Sequence, residues 1–165
     1  MPETALLRPA RPEDLAHLQD LAHRTIDRSY RPVLGDDAVD LFLGSGASAQ
    51  HIADHLDRGN VHLLERGARI AGLVILEGAT LDLIMVDIDL HREGLGTLLL
   101  RGAEHLLLAE HRLIRLETFE GNEPALAFYR ARGWEVTQRH EADGALPGRL
   151  VLHRRRTGPG RSPAR

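Results

Sequence analysis

The spacing of apolar residues predicts a chain of amphipathic helices and largely buried strands. Leu15, Leu18 and Ala22 recur at the interval of a helix face, whereas residues 81–86 form a short apolar run typical of a buried strand. Helices are predicted in this way over residues 11–30, 35–46, 48–59, 95–112 and 122–132. Strands are predicted over residues 4–8, 61–66, 69–77, 79–88, 113–119, 134–140 and 148–155.

Residues that favour helix ends and turns support these boundaries. Pro12 stands near the first turn of the first helix, Asn122 is suited to cap the start of the last helix, and Gly133 follows its end. The element order includes a three-strand meander, which predicts a mixed α/β or α+β layer fold rather than a continuous βαβ series. The composition of residues 157–165 predicts a disordered tail after a single domain over residues 1–156.

The composition fits one domain with an aliphatic core. Of 165 residues, 42% are hydrophobic and only 4% aromatic, so Leu, Val, Ile and Ala must fill most of the core. The absence of Cys excludes disulfides, thiolate zinc sites and a Cys nucleophile, and it is compatible with a cytoplasmic location. A net charge of -3 argues against nucleic-acid binding. We expect no membrane span or signal peptide, since no apolar run approaches roughly 20 residues.

A glycine-containing turn separates the strand over residues 79–88 from the next helix. Gly94 and Gly96 in "DIDLHREGLGTLLL" stand where backbone N–H groups at a helix start can hold a phosphate. A P-loop is excluded because all 21 basic residues are Arg, and the dinucleotide fingerprint is incomplete because Leu99 occupies its third glycine position. Two interpretations remain open at this point: a backbone cradle for an anion, or a tight turn without a ligand.

A second motif follows about 25 residues later. The two motifs are His91-x-x-Gly94-x-Gly96 and Asn122-x-x-Ala125-x-x-x-Tyr129-x-x-x-Gly133-Trp134. Placed on these elements, the pair resembles the GNAT superfamily of acyl-CoA-dependent N-acetyltransferases, and the element order matches over residues 4–155. Two positions depart from the family pattern: His91 replaces the usual Gln or Arg, and Ile88 replaces the usual Pro after the fourth strand.

The resemblance implies both a fold and a cofactor. It implies an α/β (α+β mixed-sheet) fold with a mostly antiparallel sheet of six to seven strands, splayed between the fourth and fifth, and helices on both faces. Acetyl-CoA is then the acyl donor, with its pyrophosphate on the N–H groups of residues 91–97 and its pantetheine arm along residues 84–88. The implied cofactor-binding residues are Ile84, Val86, Ile88, His91, Arg92, Glu93, Gly94, Leu95, Gly96, Thr97, Asn122 and Phe128.

The same resemblance implies the chemistry of attack by an amine on the acetyl thioester. A backbone N–H near Val86 is the family's usual oxyanion donor, and Tyr129 takes the place of its general acid. Spacing alone is equally compatible with Tyr129 as a core aromatic residue. Glu117 is the first candidate for the general base, and Asp82 is the second because strand alternation places it on the face of Ile84 and Val86. A water chain is a third possibility.

The acceptor is less defined than the donor. Tyr30 lies in the region that lines the family's acceptor pocket, and Asp82 is the other candidate substrate-binding residue. Residues 77–123 contain ten acidic side chains and four arginines, which suggests a negative mouth attracting a cationic amine or merely exposed surface charge. The partner is thus a primary amine, of a small molecule or of a protein N-terminus or lysine, and a homodimer is compatible with the family. The alternative function is a non-catalytic acyl-CoA-binding or regulatory module.

Ten histidines raise the question of a metal site. His51 and His55 lie one helical turn apart on a predicted helix face. No carboxylate or third histidine completes a recognisable sequence motif around them. We therefore expect both to be exposed helix residues and expect no metal site.

Overall fold

The computed structural model describes residues 4–144 and 146–158, and its elements follow the predicted order. The strands are β1 (Ala5–Pro9), β2 (Val61–Arg66), β3 (Arg69–Glu77), β4 (Thr80–Val86), β5 (Leu113–Phe119), β6 (Glu135–His140) and β7 (Arg149–Arg155). The helices are α1 (Leu15–Ser29), α2 (Arg31–Leu34), α3 (Asp36–Gly44), α4 (Ala47–Asp57), α5 (Leu95–Glu110) and α6 (Glu123–Arg130). Short 3₁₀ turns cover Pro12–Asp14 and Ile88–Leu90.

The seven strands form one mixed sheet that opens in its middle. Their spatial order is β1-β2-β3-β4-β5-β7-β6, and every neighbouring pair is antiparallel except β4 and β5. These two strands run parallel and pair only at Thr80 and Arg115, near the start of each strand. Their later residues therefore diverge, and the predicted splay between the fourth and fifth strands is confirmed.

Two apolar clusters hold helices on both faces of the sheet, as predicted. On one face, Leu18 of α1 and Ile52 of α4 pack with Leu73 of β3. On the other face, Leu99 of α5 packs with residues such as Leu116 of β5. All five side chains are at most 2% exposed, so each face buries a continuous layer of aliphatic carbon that stabilises the fold.

The contact between α5 and the sheet depends on a residue without a side chain. A Cβ atom added to Gly72 of β3 would lie 2.7 Å from the carbonyl oxygen of Met85 and 3.0 Å from Leu99 Cδ2. Because real Cβ atoms do not approach backbone oxygen so closely, any larger residue would push α5 or β4 away. Gly72 thereby sets the spacing between the sheet and the helix that begins at the glycine turn.

A β-bulge at Asp82 overturns one expectation from strand alternation. The register between β3 and β4 shifts at this point, because Leu81 and Leu83 both have partners on β3 and Asp82 has none. Asp82 therefore does not share the face of Ile84, which packs in the cluster below α5. Its carboxylate instead turns towards α4, where Oδ2 lies 2.6 Å from Nε2 of His51.

Two further predictions concern the C-terminal tail and membrane-spanning segments. Among the described residues β7 is the last regular element, and residues 159–165 of the predicted tail lie outside the described residues. Within the described part of the chain, no helix combines the length and the apolar character needed to cross a membrane.

Candidate active site

The gap between β4 and β5 forms a cavity of about 320 Å³. Its walls come from these two strands, from the junction between α1 and α2, and from α6. It brings together six residues singled out in the sequence: Tyr30, Asp82, Ile84, Glu117, Asn122 and Tyr129. The remaining candidates cluster at the end of β4 and the start of α5.

Tyr129 both packs in the core and lines the cavity, so the two interpretations of this residue are compatible. Its ring makes edge contacts with Phe128 and Trp134, at centroid distances of 5.4 and 6.1 Å, and the residue is 8% exposed. Burial, together with a smaller contribution from Tyr30, raises the pKa of the Tyr129 hydroxyl well above its usual range. The hydroxyl therefore keeps its proton at neutral pH and can act as a donor.

Asn122 positions the helix that carries Tyr129. Its side-chain Oδ1 accepts a hydrogen bond of 3.4 Å from the backbone N–H of Ala125, which confirms the predicted N-terminal cap of α6. The backbone N–H of Asn122 also donates to the carbonyl of Phe119 at the end of β5. The start of α6 is thus fixed to the strand that forms one wall of the cavity.

Glu117 enters the cavity from β5 with arginines beside it. Its Oε1 accepts a 2.9 Å hydrogen bond from Arg115, and its Oε2 lies 3.5 Å from a guanidinium nitrogen of Arg149. Arg149 of β7 also lines the cavity, although nothing in the sequence pointed to it. The pairing across β5 and β7 that brings these two residues together joins positions far apart in sequence, which periodicity does not reveal.

Of the two interpretations of the acidic residues between positions 77 and 123, ordinary charge outside the cavity fits the described residues better than a negative mouth. Of the ten acidic residues between positions 77 and 123, only Asp82 and Glu117 line the cavity. Several of the others form ion pairs elsewhere: Asp87 with Arg24 and Arg69, Glu93 with Arg66, Glu104 with Arg154, and Glu120 with Arg139. Counting charges along a segment therefore overestimated the charge that reaches the cavity.

A buried carboxylate directs the chain as it leaves β4. Asp87 is 2% exposed and accepts hydrogen bonds of 2.9 Å from both Arg24 and Arg69. It also accepts from the backbone N–H of Asp89, which stabilises the 3₁₀ turn that starts at Ile88. Burial alone would raise the pKa of Asp87, but the hydrogen bonds from Arg24 and Arg69 outweigh it and hold that pKa well below its usual range.

The loop between this turn and α5 presents backbone N–H groups, rather than side chains, as possible ligands for an anion. Arg92 and Gly94 have φ angles of 69° and 76°, and this left-handed geometry lets successive N–H groups point to one side. The side chain of Glu93 pairs with Arg66 at 3.0 Å, and that of Leu95 is buried in the core. The first N–H groups of α5 have no partner within the helix, so they can bind an anion.

The side chain of His91 is held against the end of β4. Its Nε2 lies 3.0 Å from the carbonyl oxygen of Val86 and must donate to it, since a carbonyl only accepts. The imidazole thus ties the loop back to the last residue of β4. Val86 and Phe128 also approach the position of a Cβ on Gly96, at 3.9 and 3.7 Å, so these three residues meet at the start of α5.

Arg132 supplies a cation at the same place and was not identified from the sequence. One guanidinium nitrogen donates to Thr97 Oγ1 at 2.7 Å, and another donates to the carbonyl of Phe128 at 2.9 Å. The guanidinium lies 3.9 Å from the centre of the Phe128 ring. Its position directly before Gly133 in the second motif was the available signal. Backbone N–H groups and this cation together fit a pyrophosphate group.

Comparisons with known proteins agree with this geometry. The model of the Acetyltransferase (GNAT) family matches residues 24–134. A GCN5-related N-acetyltransferase from Rhodopseudomonas palustris is similar in structure, with a TM-score of 0.79 and 19% identity over 94% of this chain and 98% of that one. The PaiA N-acetyltransferase of Thermoplasma acidophilum, solved with coenzyme A, has a TM-score of 0.76 and 15% identity over 93% and 99% of the two chains.

A plant enzyme extends the comparison. Naa50 of Arabidopsis thaliana, in complex with the bisubstrate analogue CoA-Ac-MVNAL, has a TM-score of 0.63 and 20% identity over 91% of this chain and 97% of that one. At such low identity these three likenesses describe the fold. No curated protein sequence matches the chain.

Proposed function

The chain belongs to the acetyltransferase (GNAT) family, and from this premise we propose that it transfers the acetyl group of acetyl-CoA to a primary amine by direct attack. One observation carries the proposal. The cavity is lined by Ile84, and Val86, two residues further along β4, contacts the start of α5 at Gly96, so the cavity and the proposed anion site lie next to each other along one strand. A single extended molecule can occupy both.

The donor binds along β4. When bound, acetyl-CoA supplies an acetyl group activated as a thioester. The N–H groups of residues 91–97 and the guanidinium of Arg132 hold its pyrophosphate, since they concentrate donors and positive charge at the start of α5. The free strand edge in the gap pairs with the pantetheine arm near residues 84–88, and the Val86 N–H polarises the thioester carbonyl.

Tyr129 acts as the general acid in this proposal. Its hydroxyl is protonated at neutral pH because burial raises its pKa, and it lines the cavity together with Asn122. A proton held there is available for the thiolate that leaves when the amine attacks. Asn122 contributes by orienting α6 and by presenting its amide to the donor's arm.

The acceptor amine enters the cavity from the side of Tyr30 and Glu117. Glu117 is our candidate for the group that removes a proton from the substrate ammonium, because it lines the cavity opposite β4. The neighbouring Arg149 also places a cation in this part of the cavity. This favours an amine substrate that carries, besides its amino group, an oxygen able to accept a hydrogen bond from the guanidinium. We propose that residues 1–156 form the single domain that performs the reaction.

The decisive experiment combines binding and turnover. Acetyl-CoA is titrated into the protein by calorimetry, and thiol release is then followed with a panel of small amines, amino acids and peptides. We expect micromolar binding and thiol release with at least one amine. Binding without release for any acceptor would favour a non-catalytic acyl-CoA-binding module, and absence of binding would contradict the proposal.

A further inference from the structure

Two histidines and a carboxylate meet at the bulge of β4. His51 and His55 lie one turn apart on α4, with ring centres 4.5 Å apart, and Asp82 faces them from β4. One potential ligand atom from each of the three lies within 4.8 Å of the other two. We propose that His51, His55 and Asp82 form a zinc-binding site between α4 and β4.

The donor set suits zinc. Two imidazole nitrogens and one carboxylate oxygen are typical ligands of this ion, and three protein ligands leave a fourth position for water or a substrate group. Bonds of about 2.0–2.2 Å in a tetrahedral site separate ligand atoms by about 3.3 Å. The atoms Nε2 of His51 and Oδ2 of Asp82 are 2.6 Å apart, and all three potential ligand atoms lie within 4.8 Å of one another. The side chains of His51 and Asp82, 46% and 28% exposed, have room to adjust.

His55 has the surroundings expected of a ligand held in place by its neighbours. Contrary to the expectation from sequence, it is 4% exposed. The side-chain amide nitrogen of Asn60 lies 3.2 Å from Nδ1 of His55. Rotating this amide by 180° exchanges its nitrogen and oxygen and places the acceptor oxygen next to Nδ1. Nδ1–H would then donate to Asn60, which leaves Nε2 for a metal and fixes the ring orientation.

The backbone around Asn60 strengthens this arrangement. Its N–H donates to the carbonyl of His55 at 3.0 Å, and its own carbonyl accepts from Leu76 of β3 at 2.9 Å. Asn60 is therefore anchored independently of its side chain. The sequence offered no third ligand because Asp82 follows His51 by 31 positions and reaches it only through the bulge.

A simple hydrogen bond between His51 and Asp82 is the competing explanation. Such a bond would join α4 to β4 without involving His55, whose buried imidazole would then contact Asn60 through Nδ1. The zinc site uses all three groups and places a cation next to the acceptor cavity, because Asp82 also lines that cavity. The proposal does not rest on acetyl transfer, since metal binding is measured without acetyl-CoA.

The test is a titration of zinc sulfate into the full chain after dialysis against a chelator, followed by calorimetry. Cobalt(II) serves as a second probe, because its visible absorption reports a tetrahedral nitrogen and oxygen environment. We expect one ion per chain. The variants His51→Gln and Asp82→Asn, both at partly exposed positions, should each weaken binding at least about tenfold.

The matched control is His105→Ala, an exposed histidine of α5 on the opposite face of the sheet, which should bind zinc like the wild type. Circular dichroism confirms that each variant is folded, and His55→Ala is added only if it passes this check. The proposal is overturned by no binding to the wild type. It is equally overturned if binding survives His51→Gln and Asp82→Asn, or falls as much in His105→Ala, because the ion is then held by unrelated histidines.

Discussion

The hydroxyl of Tyr129 combines burial with a place on the cavity wall. Replacing it with Phe removes one oxygen and keeps the ring contacts with Phe128 and Trp134, so the fold should persist. If the hydroxyl is the general acid, Tyr129→Phe lowers kcat by about 10²- to 10⁴-fold. Steady-state thiol release measures kcat, and calorimetry should find acetyl-CoA affinity changed by no more than about twofold. Wild-type kcat in the variant would show that another group protonates the thiolate.

Two substitutions of Gly94 distinguish the effect of backbone strain from the effect of a charge placed in the proposed anion site. Its φ of 76° disfavours any side chain by about 1 kcal/mol, and no atom lies within 4 Å of an added Cβ. Gly94→Ala and Gly94→Glu therefore carry a similar backbone cost, but only Glu adds a negative charge beside the proposed pyrophosphate. We expect acetyl-CoA affinity at least about tenfold weaker in Gly94→Glu than in Gly94→Ala, with similar melting temperatures. Equal affinities would argue against a phosphate at this loop.

Sequence motifs found residues that act through backbone or through a fixed helix position. Tyr129 lies in α6 and Asn122 caps the start of that helix, and Gly94 belongs to one loop, so local spacing was enough to find them. Arg132 and Arg149 were missed because their importance comes from contacts with Thr97 and Glu117, more than thirty positions away in each case. Long-range pairs of this kind leave no periodic signal in a single sequence.

At the scale of elements, a buried carboxylate joins α5 to the second half of the sheet. Glu104 of α5 is 6% exposed, accepts a 2.8 Å hydrogen bond from the indole nitrogen of Trp134, and pairs with Arg154 of β7. It is one of the few charged residues in an otherwise aliphatic interface. Removing it would deprive the buried indole of Trp134 and the guanidinium of Arg154, whose side chain is 27% exposed, of this acceptor.

Two variants distinguish the hydrogen bond from the charge. Glu104→Leu should lower the free energy of unfolding by about 3 kcal/mol, since both partners lose their acceptor. Glu104→Gln keeps an oxygen for Trp134 and should cost about 1 kcal/mol. Urea unfolding followed by Trp134 fluorescence measures both values. Equal losses in the two variants would mean that the charge interaction with Arg154 dominates.

The elements themselves were largely predictable, and their exceptions have physical causes. Hydrophobic periodicity identified the long helices α1 and α5 because each buries one face against the sheet. The residues Pro12–Asp14 form a 3₁₀ turn before α1 instead of its first turn, and the segment over 11–30 is shorter as a helix than predicted. The bulge at Asp82 reverses the alternation of β4, and only the paired strand reveals it. The splay was implied by family resemblance, not by periodicity.

At the scale of the whole molecule, two buried carboxylates link stability to pH. Hydrogen bonds from Arg8 lower the pKa of Asp14 against the effect of burial, and those from Arg24 and Arg69 outweigh burial to lower that of Asp87. A carboxyl whose pKa is lower in the folded state stabilises the protein above its unfolded value of about 3.9. That contribution is lost as pH falls below this value towards the folded pKa.

Asp87→Asn tests this linkage. The free energy of unfolding of the variant should be about 2 kcal/mol lower than that of the wild type at pH 7, because the variant loses the charge that pairs with two partly exposed arginines. The difference from wild type should shrink as pH falls below about 4, where Asp87 of the unfolded wild type gains its proton while Asp87 of the folded protein still holds its charge. Asp20→Asn is the control, since Asp20 also pairs with Arg24 but is 68% exposed and should change little. A difference that stays constant down to acid pH would contradict the role of the charge.

The single pairing of β4 with β5 at Thr80 and Arg115 gives the protein two extra sheet edges in its interior. Exposed edges are templates for strand addition, and a sheet ordinarily hides them at its rim or covers them. Here an extended ligand can complete the hydrogen-bond ladder as a transient eighth strand. Amides facing the gap would then gain protection from hydrogen exchange on binding, and a chain kept without its ligand would be the form most open to pairing with another copy and to aggregation.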